Sequence, residues 1–582
     1  MKCSNCNSEW ESAVKIHVCP FCGKPLTIAW EELSVSVAIT RTIDKFGLDI
    51  LKTPNKLVAC IMDFVKGHER DKKLFRIACN AGILPLMYDA KNTQDKAQQQ
   101  MYLNKAVKQL EEEAFLSADH AGYIVRAIAE GISVSYTMND KSTAHDEHIK
   151  TVEIKKSSRI LGINLDFNQS RVAVLKDGKP VIIPNAFGER KTSSVVSFSK
   201  DGKVLTGKMA ERIGMNSPQR LFPAMQAYIR PNHKVMIDSE EYTSQEITAF
   251  FLRQLKKDAE GFLGEGISDA IIALPSKFND VQRQAIVDAG AIAGLNIVRM
   301  LAVSTAAAIS YSLKVSGEQI ILACHMSGSN IDVSVIESGS GVLEVLSVAG
   351  IPAAEIQNQD AASGCPDKML ESVKKTAVHA IRDAGLKFTD ISQVILTGDM
   401  ADTPELVEGI RILTGRKLLS SQNSEEIAAA GAAHYGGRLT GYNMGVPLLM
   451  DVMPMSLCVE TQGGVATYII NRNSIIPLKA SYIFTAYEDN QSTVDIHVLQ
   501  GERLFVKDNQ SLGHFIADGI TNGKKEEALI KAEFCIEADK KLKISVENMI
   551  TGKEQHITNL NPYCMSQQCI RKAAERVSEK LF

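Results

Sequence analysis

The sequence predicts a multidomain protein in which a small cysteine-rich segment and an all-α bundle precede a long α/β region and an all-β region. A chain of 582 residues is too long for a single hydrophobic core. Apolar residues recur at helical spacing in residues 27–138, where strand-like alternation is scarce. Short apolar strands alternate with alanine-rich helices around residues 271–313, and short alternating segments broken by turn residues follow residue 452.

The composition is that of an ordinary globular protein and argues against several classes of partner. Hydrophobic residues make up 45% of the chain, charged residues 23%, and the formal net charge is -3. Without a basic excess we expect no nucleic-acid partner, and without an apolar run of about 18 residues we expect no membrane span. The polar start MKCSNCNSEW is unlike a signal peptide, and the scattered cysteines suit a reducing compartment, so we expect a cytoplasmic protein.

Residues 1–26 carry four cysteines at the spacing of a zinc ribbon. Cys3 pairs in sequence with Cys6, and Cys19 with Cys22, each pair in a C-x2-C pattern. Four thiolates close a tetrahedral zinc site without an open coordination position, so the expected Zn is structural. Four incidental cysteines are the alternative.

Residues 27–138 predict a bundle of five or six helices, because apolar positions such as Leu57 and Ile61 recur at helical spacing. The module resembles helical regulatory segments attached to bacterial signalling proteins, which implies a protein partner. Residues 139–158 are polar and charged and predict a linker. His145 and His148 could be drawn as a metal site there, but a solvated segment is favoured because nothing orders these side chains.

The α/β region is organised around the stretch IIALPSKFNDVQRQAIVDAGAIAGLNIVRMLAVSTAAAISYSL, residues 271–313. After a first short strand, Asn279 supplies N-cap chemistry for a helix over Val281–Gly294 that ends at glycine. A strand over Asn296–Leu301 and a small-residue helix over Ser304–Leu313 follow. Strand, helix, strand and helix with tight connections form an α/β core unit.

This stretch resembles the DnaK-type heat-shock chaperones, and the resemblance extends over residues 159–441 to the ATPase domain of that family. It implies an actin-like α/β fold with two lobes. Where the family has a long subdomain that covers the adenine, this chain has PAAEIQNQDAASGCPDKM and then a helix. We therefore expect the second lobe to be truncated.

The resemblance also indicates that the catalytic positions of the family are substituted. Asn164 and His325 stand where the family has metal-side carboxylates, Met225 where it has a lysine, and Val303 where it has a glutamate. Asp166 places an anion where a phosphate loop has glycine. Losing the acid/base and metal groups together predicts a pseudo-ATPase without a catalytic residue.

Three residues remain at nucleotide-binding positions of the family. They are Gly328, Asp332 and Gly398. Binding of ATP or ADP without turnover is therefore an alternative to a cleft that binds no nucleotide.

Residues 442–451 resemble the inter-domain linker of the family, and residues 452–558 resemble its peptide-binding β-sandwich. The resemblance implies an extended peptide held by backbone hydrogen bonds and one apolar pocket. The matching positions are Val459, Phe484, Val494 and Ile496 for the pocket, with Gln462 and Tyr487 for the arch over the peptide. Ordinary sandwich core residues are an equally weighted alternative, because core and pocket share composition. Residues 559–582 leave one short helix where the family has a long helical lid.

The sequence thus predicts a DnaK-like protein that binds extended or unfolded apolar polypeptide segments without an ATPase cycle. One alternative is a scaffold or regulator that binds folded partners through the N-terminal modules. Another is an ATP-dependent chaperone with an unorthodox site.

Overall fold

The computed structural model describes most of the chain from residue 34 onwards. The described residues are 34–65, 69–114, 116, 118–136, 159–223, 233–314, 317–328, 330–339, 341–351, 366–416, 418–419, 424–441, 445–485, 493–518, 529–549, 552, 554–557 and 564–581. Several predicted features lie outside them: the four cysteines of the predicted zinc ribbon, the predicted linker 139–158, Met225, Tyr487 and the side chain of Val494. The chain divides into two units, one of residues 1–79, 83–107 and 122–138 and the other of residues 80–82, 108–121 and 139–582.

Six α-helices occupy the described part of the predicted helical segment, in agreement with its periodicity. They are α1 (Val35–Phe46), α2 (Pro54–Phe64), α3 (Glu69–Asn80), α4 (Leu84–Asn92), α5 (Lys96–Glu113) and α6 (Ala118–Gly131), with a 3-10 helix over Leu48–Lys52. Ser34 caps α1 by accepting the N–H of Val37, and Pro54 opens α2, where its missing N–H costs nothing. Ile39, Leu57 and other apolar residues that recur at helical spacing are fully buried.

The first α/β lobe is built on a six-stranded sheet with the order β11-β10-β1-β2-β3 and β4 joined to β2. Its elements are β1 (Ile160–Asn164), β2 (Gln169–Lys176), β3 (Lys179–Ile183), β4 (Thr192–Ser193), β5 (Val195–Phe198), β6 (Val204–Thr206), α7 (Gly207–Gly214), β7 (Leu221–Pro223), β8 (Lys234–Ile237), β9 (Glu240–Thr243), α8 (Ser244–Leu263), β10 (Asp269–Leu274), α9 (Asp280–Ala293) and β11 (Asn296–Ala302). Asn279 caps α9 by accepting the N–H of Gln282 at 2.9 Å, and α9 ends at Gly294 with φ 75°. The caps predicted from the sequence are therefore confirmed.

The second lobe is built on a seven-stranded sheet with the order β16-β15-β12-β13-β14-β17-β20, in which β20 is the short strand Ile475–Ile476. Its elements are α10 (Val303–Ser312), β12 (Gln319–Ser327), β13 (Asn330–Gly339), β14 (Val342–Ile351), α11 (Pro366–Asp383), β15 (Gln393–Thr397), α12 (Pro404–Thr414), β16 (Leu418–Leu419), α13 (Ile427–Leu439) and β17 (Leu448–Val452). The segment predicted to be a linker is thus a strand from Leu448 onwards. Pro447 precedes the strand, and its missing N–H removes no bond of the ladder, because the paired register begins at Leu448.

Helices α10 and α13 lie between the two sheets, and glycine allows their close approach. A Cβ on Gly431 of α13 would lie 1.7 Å from the carbonyl oxygen of Ala306 on α10. A Cβ on Gly162 of β1 would lie 2.2 Å from the backbone nitrogen of Ala433. Helices α8 and α9 cover the outer face of the first sheet, and α11 and α12 cover that of the second. The α/β region therefore has alternating layers of helices and sheets, the architecture that the resemblance predicts.

The all-β region is a sandwich of two four-stranded sheets with the orders β19-β18-β22-β23 and β21-β24-β25-β26. Its strands are β18 (Leu457–Thr461), β19 (Val465–Ile470), β20 (Ile475–Ile476), β21 (Leu478–Thr485), β22 (Thr493–Gln500), β23 (Gln510–Asp518), β24 (Leu529–Ile536), β25 (Leu542–Asn548) and β26 (Glu554–Ile557). Phe515 from one sheet and Phe534 from the other are both buried in the core between the two sheets. The short strand β20 leaves the sandwich and pairs with β17 of the second lobe.

The C-terminal helix α14 (Gln567–Lys580) packs on the first α/β lobe. Ala573 and Val577 are buried in the core of that lobe, as the amphipathic pattern of the helix requires. Arg576 donates to the carbonyl oxygen of Glu241 at 3.0 Å, and Lys580 donates to the hydroxyl of Tyr242 at 2.9 Å. Over the described ranges, every helix is too short or too polar to cross a membrane.

Candidate functional site

The cleft between the two lobes is formed where strands of both sheets end. β1 ends at Asn164, and the turn after it carries Asp166 and Asn168. On the other lobe, His325 of β12 is the register partner of Thr397, the last residue of β15. Polar side chains of the two lobes therefore meet at the carboxyl ends of these parallel strands, the usual place for a ligand site in an α/β fold.

A buried histidine–carboxylate pair joins the lobes in this cleft. Nε2 of His325 lies 3.1 Å from Oδ2 of Asp166, and Nδ1 lies 3.0 Å from Oγ1 of Thr397. His325 and Asp166 are 2% and 4% exposed, respectively. Burial opposes both charges, yet the carboxylate raises the pKa of His325 above its ordinary value, and the imidazole lowers the pKa of Asp166 below its own. As an imidazolium, which the raised pKa favours, the ring donates from Nε2 to Asp166 and from Nδ1 to Thr397.

A second carboxylate, Asp399, accepts hydrogen bonds from both lobes. Nδ2 of Asn168 donates to Oδ2 at 2.6 Å, and the backbone N–H of Gly328 donates to Oδ1 at 3.2 Å. The preceding residue, Gly398, has φ 97°, and a Cβ there would lie 2.1 Å from the carbonyl oxygen of Met326. Only glycine fits this turn. Asp399 thus places an anion against the backbone of the β12–β13 turn, where Gly328 lies.

The buried carboxylate of Asp332 on β13 is engaged by the chain itself. Its Oδ1 accepts the N–H of Ser276 at 2.9 Å, and its Oδ2 accepts the N–H and the hydroxyl of Ser304 at 3.2 and 2.7 Å. Val303, the first residue of α10, and Asn164 are each 1% exposed. Within the described ranges, Oδ1 of Asn164 has no hydrogen-bond partner. The structure therefore uses Asp332 to join α10 to the second sheet.

Arginines of the first lobe add ion pairs to the segment that precedes α13. Arg190 donates through Nε and Nη2 to the two carboxylate oxygens of Glu426 at 2.7 and 2.9 Å. The buried Arg171 pairs with Glu425. Bidentate pairs of this kind fix orientation as well as contact. Side chains of the chain itself thus hold the two lobes together around the cleft.

The described part of the cleft contains two acids that a polyphosphate would have to approach. Asp166 and Asp399 are acids at its centre, and like charges at short range repel strongly where water is excluded. The N–H of Gly328, which could otherwise donate to a phosphate oxygen, is already bonded to Asp399. The described residues also contain no group of three or more histidine, cysteine or acidic side chains able to hold a metal ion.

Buried polar contacts attach the sandwich to the α/β lobes. Nζ of Lys540, in the turn between β24 and β25, lies 2.8 Å from Oδ2 of Asp451 on β17, and both side chains are almost fully buried. Lys540 has φ 71°, a conformation that few residues other than glycine adopt. Although burial alone would raise the pKa of Asp451, Lys540 holds it below its ordinary value. The N–H of Asp280 donates to Oε1 of Gln500 at 2.8 Å, which adds a contact between α9 and β22.

The predicted peptide positions lie on three strands of the sandwich and the turn after β18. Val459 and Ile496 are 0% and 2% exposed and belong to the sandwich core. Phe484 is partly buried against that core, with its ring 4.9 Å from the ring of Tyr482. Gln462 is exposed in the turn between β18 and β19. Val459, Phe484 and Ile496 therefore lie in one cluster, which both the pocket and the core interpretations require.

Two α/β lobes around a polar cleft, a docked strand and a β-sandwich are together the domain order of DnaK-type chaperones. A family model described as Hsp70 protein matches residues 160–229, 226–352 and 364–580 of the chain. The chain therefore belongs to the Hsp70 family and is an Hsp70-type chaperone by descent.

Sequence reasoning missed several residues that the structure places in or beside the cleft. The sequence analysis singles out none of Asp399, Asn168 and Thr397, although Asn168 donates to Asp399 and Thr397 contacts His325. Lys540 was missed as well. A signal was available for Asp399, because an acid that appears beside Asp166 in a former phosphate site needs a compensating donor.

Proposed function

We propose that this Hsp70-family protein binds extended apolar polypeptide segments without an ATPase cycle. The observation that carries the proposal is the pair of acids, Asp166 and Asp399, which are bonded across the cleft to His325 and Asn168 respectively. These contacts do within the chain what phosphate contacts do in a nucleotide site, namely bridge two lobes. A nucleotide would have to break them and face both acids.

Peptide binding is supported by family membership and by the apolar cluster of the sandwich. Val459, Phe484 and Ile496 lie in one cluster, and the arch position Gln462 is exposed in the turn after β18. An extended peptide would be held by backbone hydrogen bonds and by insertion of one apolar side chain.

The first test is a calorimetric titration of the full chain with ATP and with ADP in the presence of magnesium, with hydrolysis followed on the same sample. We expect neither heat of binding nor release of phosphate. Turnover of ATP would contradict the proposal and favour the ATP-dependent alternative. Binding without turnover would make nucleotide a ligand that replaces the contacts of Asp166 and Asp399.

The second test measures the anisotropy of a labelled apolar peptide as the full chain is added. Phe484→Ser should weaken binding by about tenfold or more, because the pocket loses most of one aromatic side chain. Ile483→Ser is the matched control, since Ile483 is the next residue of β21 and is 52% exposed. Equal affinities of the two variants would favour the interpretation of these residues as sandwich core only.

We further propose that Cys3, Cys6, Cys19 and Cys22 bind one structural zinc ion. Their spacing supports it, since two C-x2-C pairs supply four thiolates for a closed tetrahedral site. The helical segment that follows would bind a protein partner, and its six α-helices without a strand in the described residues support that role. If the only ligand found for the full chain were one folded partner, lost on deletion of residues 1–140, the scaffold alternative would replace peptide binding.

A further inference from the structure

The first α/β lobe contains a cavity of about 580 Å³ that belongs neither to the inter-lobe cleft nor to the sandwich. It lies between the loop after β3, the β6–α7 segment, the C-terminal half of α8 and Leu581 at the end of α14. Sites for small molecules are usually concave, largely apolar and about 300–1,000 Å³ in volume. The cavity has the size of such a site.

Large apolar side chains line the cavity and are partly exposed to solvent. Phe187 and Phe262 are 61% and 46% exposed, and Met209 is 36% exposed. Leu205 and Leu581 extend the apolar wall. Gly261 leaves open space, because a Cβ there would meet no atom within 4 Å. Exposed aromatic residues around one concavity indicate an apolar ligand.

The charged residues of the lining are Lys208, Lys257 and Asp258, which together carry an excess of one positive charge. Burial raises the pKa of Asp258, and its Oδ1 accepts the amide of Gln254 at 2.8 Å. Lys208 pairs with Glu189 at 2.6 Å. In the part of the chain that the structure describes, Lys257 forms no ion pair. The positive charge that remains for a ligand is therefore that of Lys257.

We propose that this cavity binds a medium-chain aliphatic carboxylate, with its chain against Phe187, Phe262 and Leu581 and its carboxylate at Lys257. The apolar wall and the single available cation match the two ends of such a molecule. A cationic amphiphile would meet Lys208 and Lys257 instead, and a neutral one would leave the charge of Lys257 unused. The site is independent of the proposed peptide channel and of nucleotide.

The experiment is a calorimetric titration of the full chain with decanoate below its micellar concentration. We expect saturable binding at one site per chain. Octanoate should bind about tenfold more weakly, because two fewer methylene groups are buried. Decylamine and decanol should both bind more weakly than decanoate. Absence of decanoate binding, or equal binding of the three head groups, would overturn the proposal.

Variants at Gly261 locate the site. Gly261→Leu places a side chain in the open space of the cavity and should abolish decanoate binding. Gly261→Ala is the matched control, because it makes the same change in helix propensity and leaves most of the space. If Gly261→Leu bound decanoate as well as Gly261→Ala, the ligand would lie elsewhere, the peptide channel included, and the assignment to this cavity would be wrong.

Variants of lysine test the charge. Lys257→Gln should weaken decanoate binding by about threefold, the effect of one half-exposed ion pair, and should leave decanol binding unchanged. Lys200→Gln is the control, since Lys200 is an exposed lysine of the same lobe outside the cavity lining. Equal effects of the two substitutions would contradict the placement of the carboxylate at Lys257.

Discussion

His325 and Asp166 come from different lobes and form a buried ion pair at the centre of the cleft. Taking two charges out of water costs several kcal/mol each, so such a pair is retained only where each member stabilises the other and further hydrogen bonds are made. Thr397 supplies one of these bonds to His325, and the N–H of Phe167 supplies one to Asp166. Replacing one member of the pair should therefore lower the free energy of unfolding by more than the intact pair contributes to it.

His325→Gln should lower the free energy of unfolding at pH 6 by about 3 kcal/mol, because it leaves Asp166 buried without the cation that is hydrogen-bonded to it. His514→Gln is the control, since the His514–Asp495 pair is more than half exposed and should contribute less than about 1 kcal/mol. Urea unfolding of both variants measures the difference. A loss at His325 no larger than the loss at His514 would contradict the buried-pair interpretation.

The same pair predicts a dependence of stability on pH. The pKa of His325 is raised in the folded protein by Asp166, with Asp332 and Asp399 adding to the effect against burial. Its contribution should be complete below about pH 6.5, the unfolded value, and should be lost as the pH rises through the raised folded value. The contribution of Asp166, whose pKa is lowered, should be lost only in acid. Urea midpoints of the wild type measured from pH 6 to 9 should fall, and the fall should be smaller in His325→Gln.

Lys540→Met should destabilise the protein by about 3 kcal/mol, because Asp451 would remain buried without its closest cation. The double variant with Asp451→Leu should recover most of that loss, since an apolar pair of similar volume replaces the ion pair. Lys541→Met is the control, because Lys541 is largely exposed. Thermal melts would report all three. A double variant less stable than Lys540→Met would argue that Asp451 is held by other groups.

At the scale of elements, glycine decides how closely the helices between the two sheets approach. Gly431 of α13 lies against the backbone of α10, and Gly162 of β1 lies against the backbone of α13. Backbone atoms cannot move aside as a flexible side chain can, so a methyl group at either position would push a helix away from its neighbour. The inter-lobe contacts of Glu425 and Glu426, which precede α13, depend on that position.

Gly431→Ala should therefore destabilise the α/β region by about 2 kcal/mol or more, as overpacking of a close contact does. Gly261→Ala, also within a helix, should be neutral or stabilising by about 0.5–1 kcal/mol, because its Cβ meets open space and helix propensity improves. The two melting temperatures should thus move in opposite directions. Similar melting temperatures would mean that α10 and α13 can separate without cost.

At the scale of the whole molecule, the α/β lobes, strand β17, the sandwich and helix α14 form one continuous set of contacts. β17 extends the second sheet, Lys540 of the sandwich pairs with Asp451 on that strand, and α14 returns to the core of the first lobe. These contacts include backbone pairing of strands, a buried ion pair and apolar packing. The sandwich and the two lobes are therefore linked by several contacts from distant parts of the chain.

The predicted zinc site can be tested by measuring the zinc content of the full chain. Elemental analysis of the purified protein should find one zinc per chain, and Cys3→Ser with Cys6→Ser should reduce it to near zero, because a structural site needs its thiolates. Cys569→Ser is the control, since Cys569 is an exposed thiol outside the motif. Protein that is free of zinc and keeps the same melting profile would contradict a structural role.

The family, the strand–helix–strand–helix unit around residues 271–313 and the bounds of α9 could be predicted from sequence. Their signals are local, because caps, glycine stops and apolar periodicity act within a few residues of one another. The substitutions at Asn164, Val303 and His325 were also visible, since each occupies a position in a recognisable motif. The sequence also predicted the short helix within residues 559–582, but not that it packs on the first lobe.

Only the tertiary structure decided what the substituted residues contact. His325 meets Asp166 across 159 residues of chain, and Asp399 meets Asn168 across 231. Such pairs depend on how two lobes come together, and a sequence pattern carries no distance between residues so far apart. The same holds for Lys540 and Asp451 and for the seat of α14 on the first lobe. Local chemistry determined the elements of this protein, and the packing of distant elements determined its cleft.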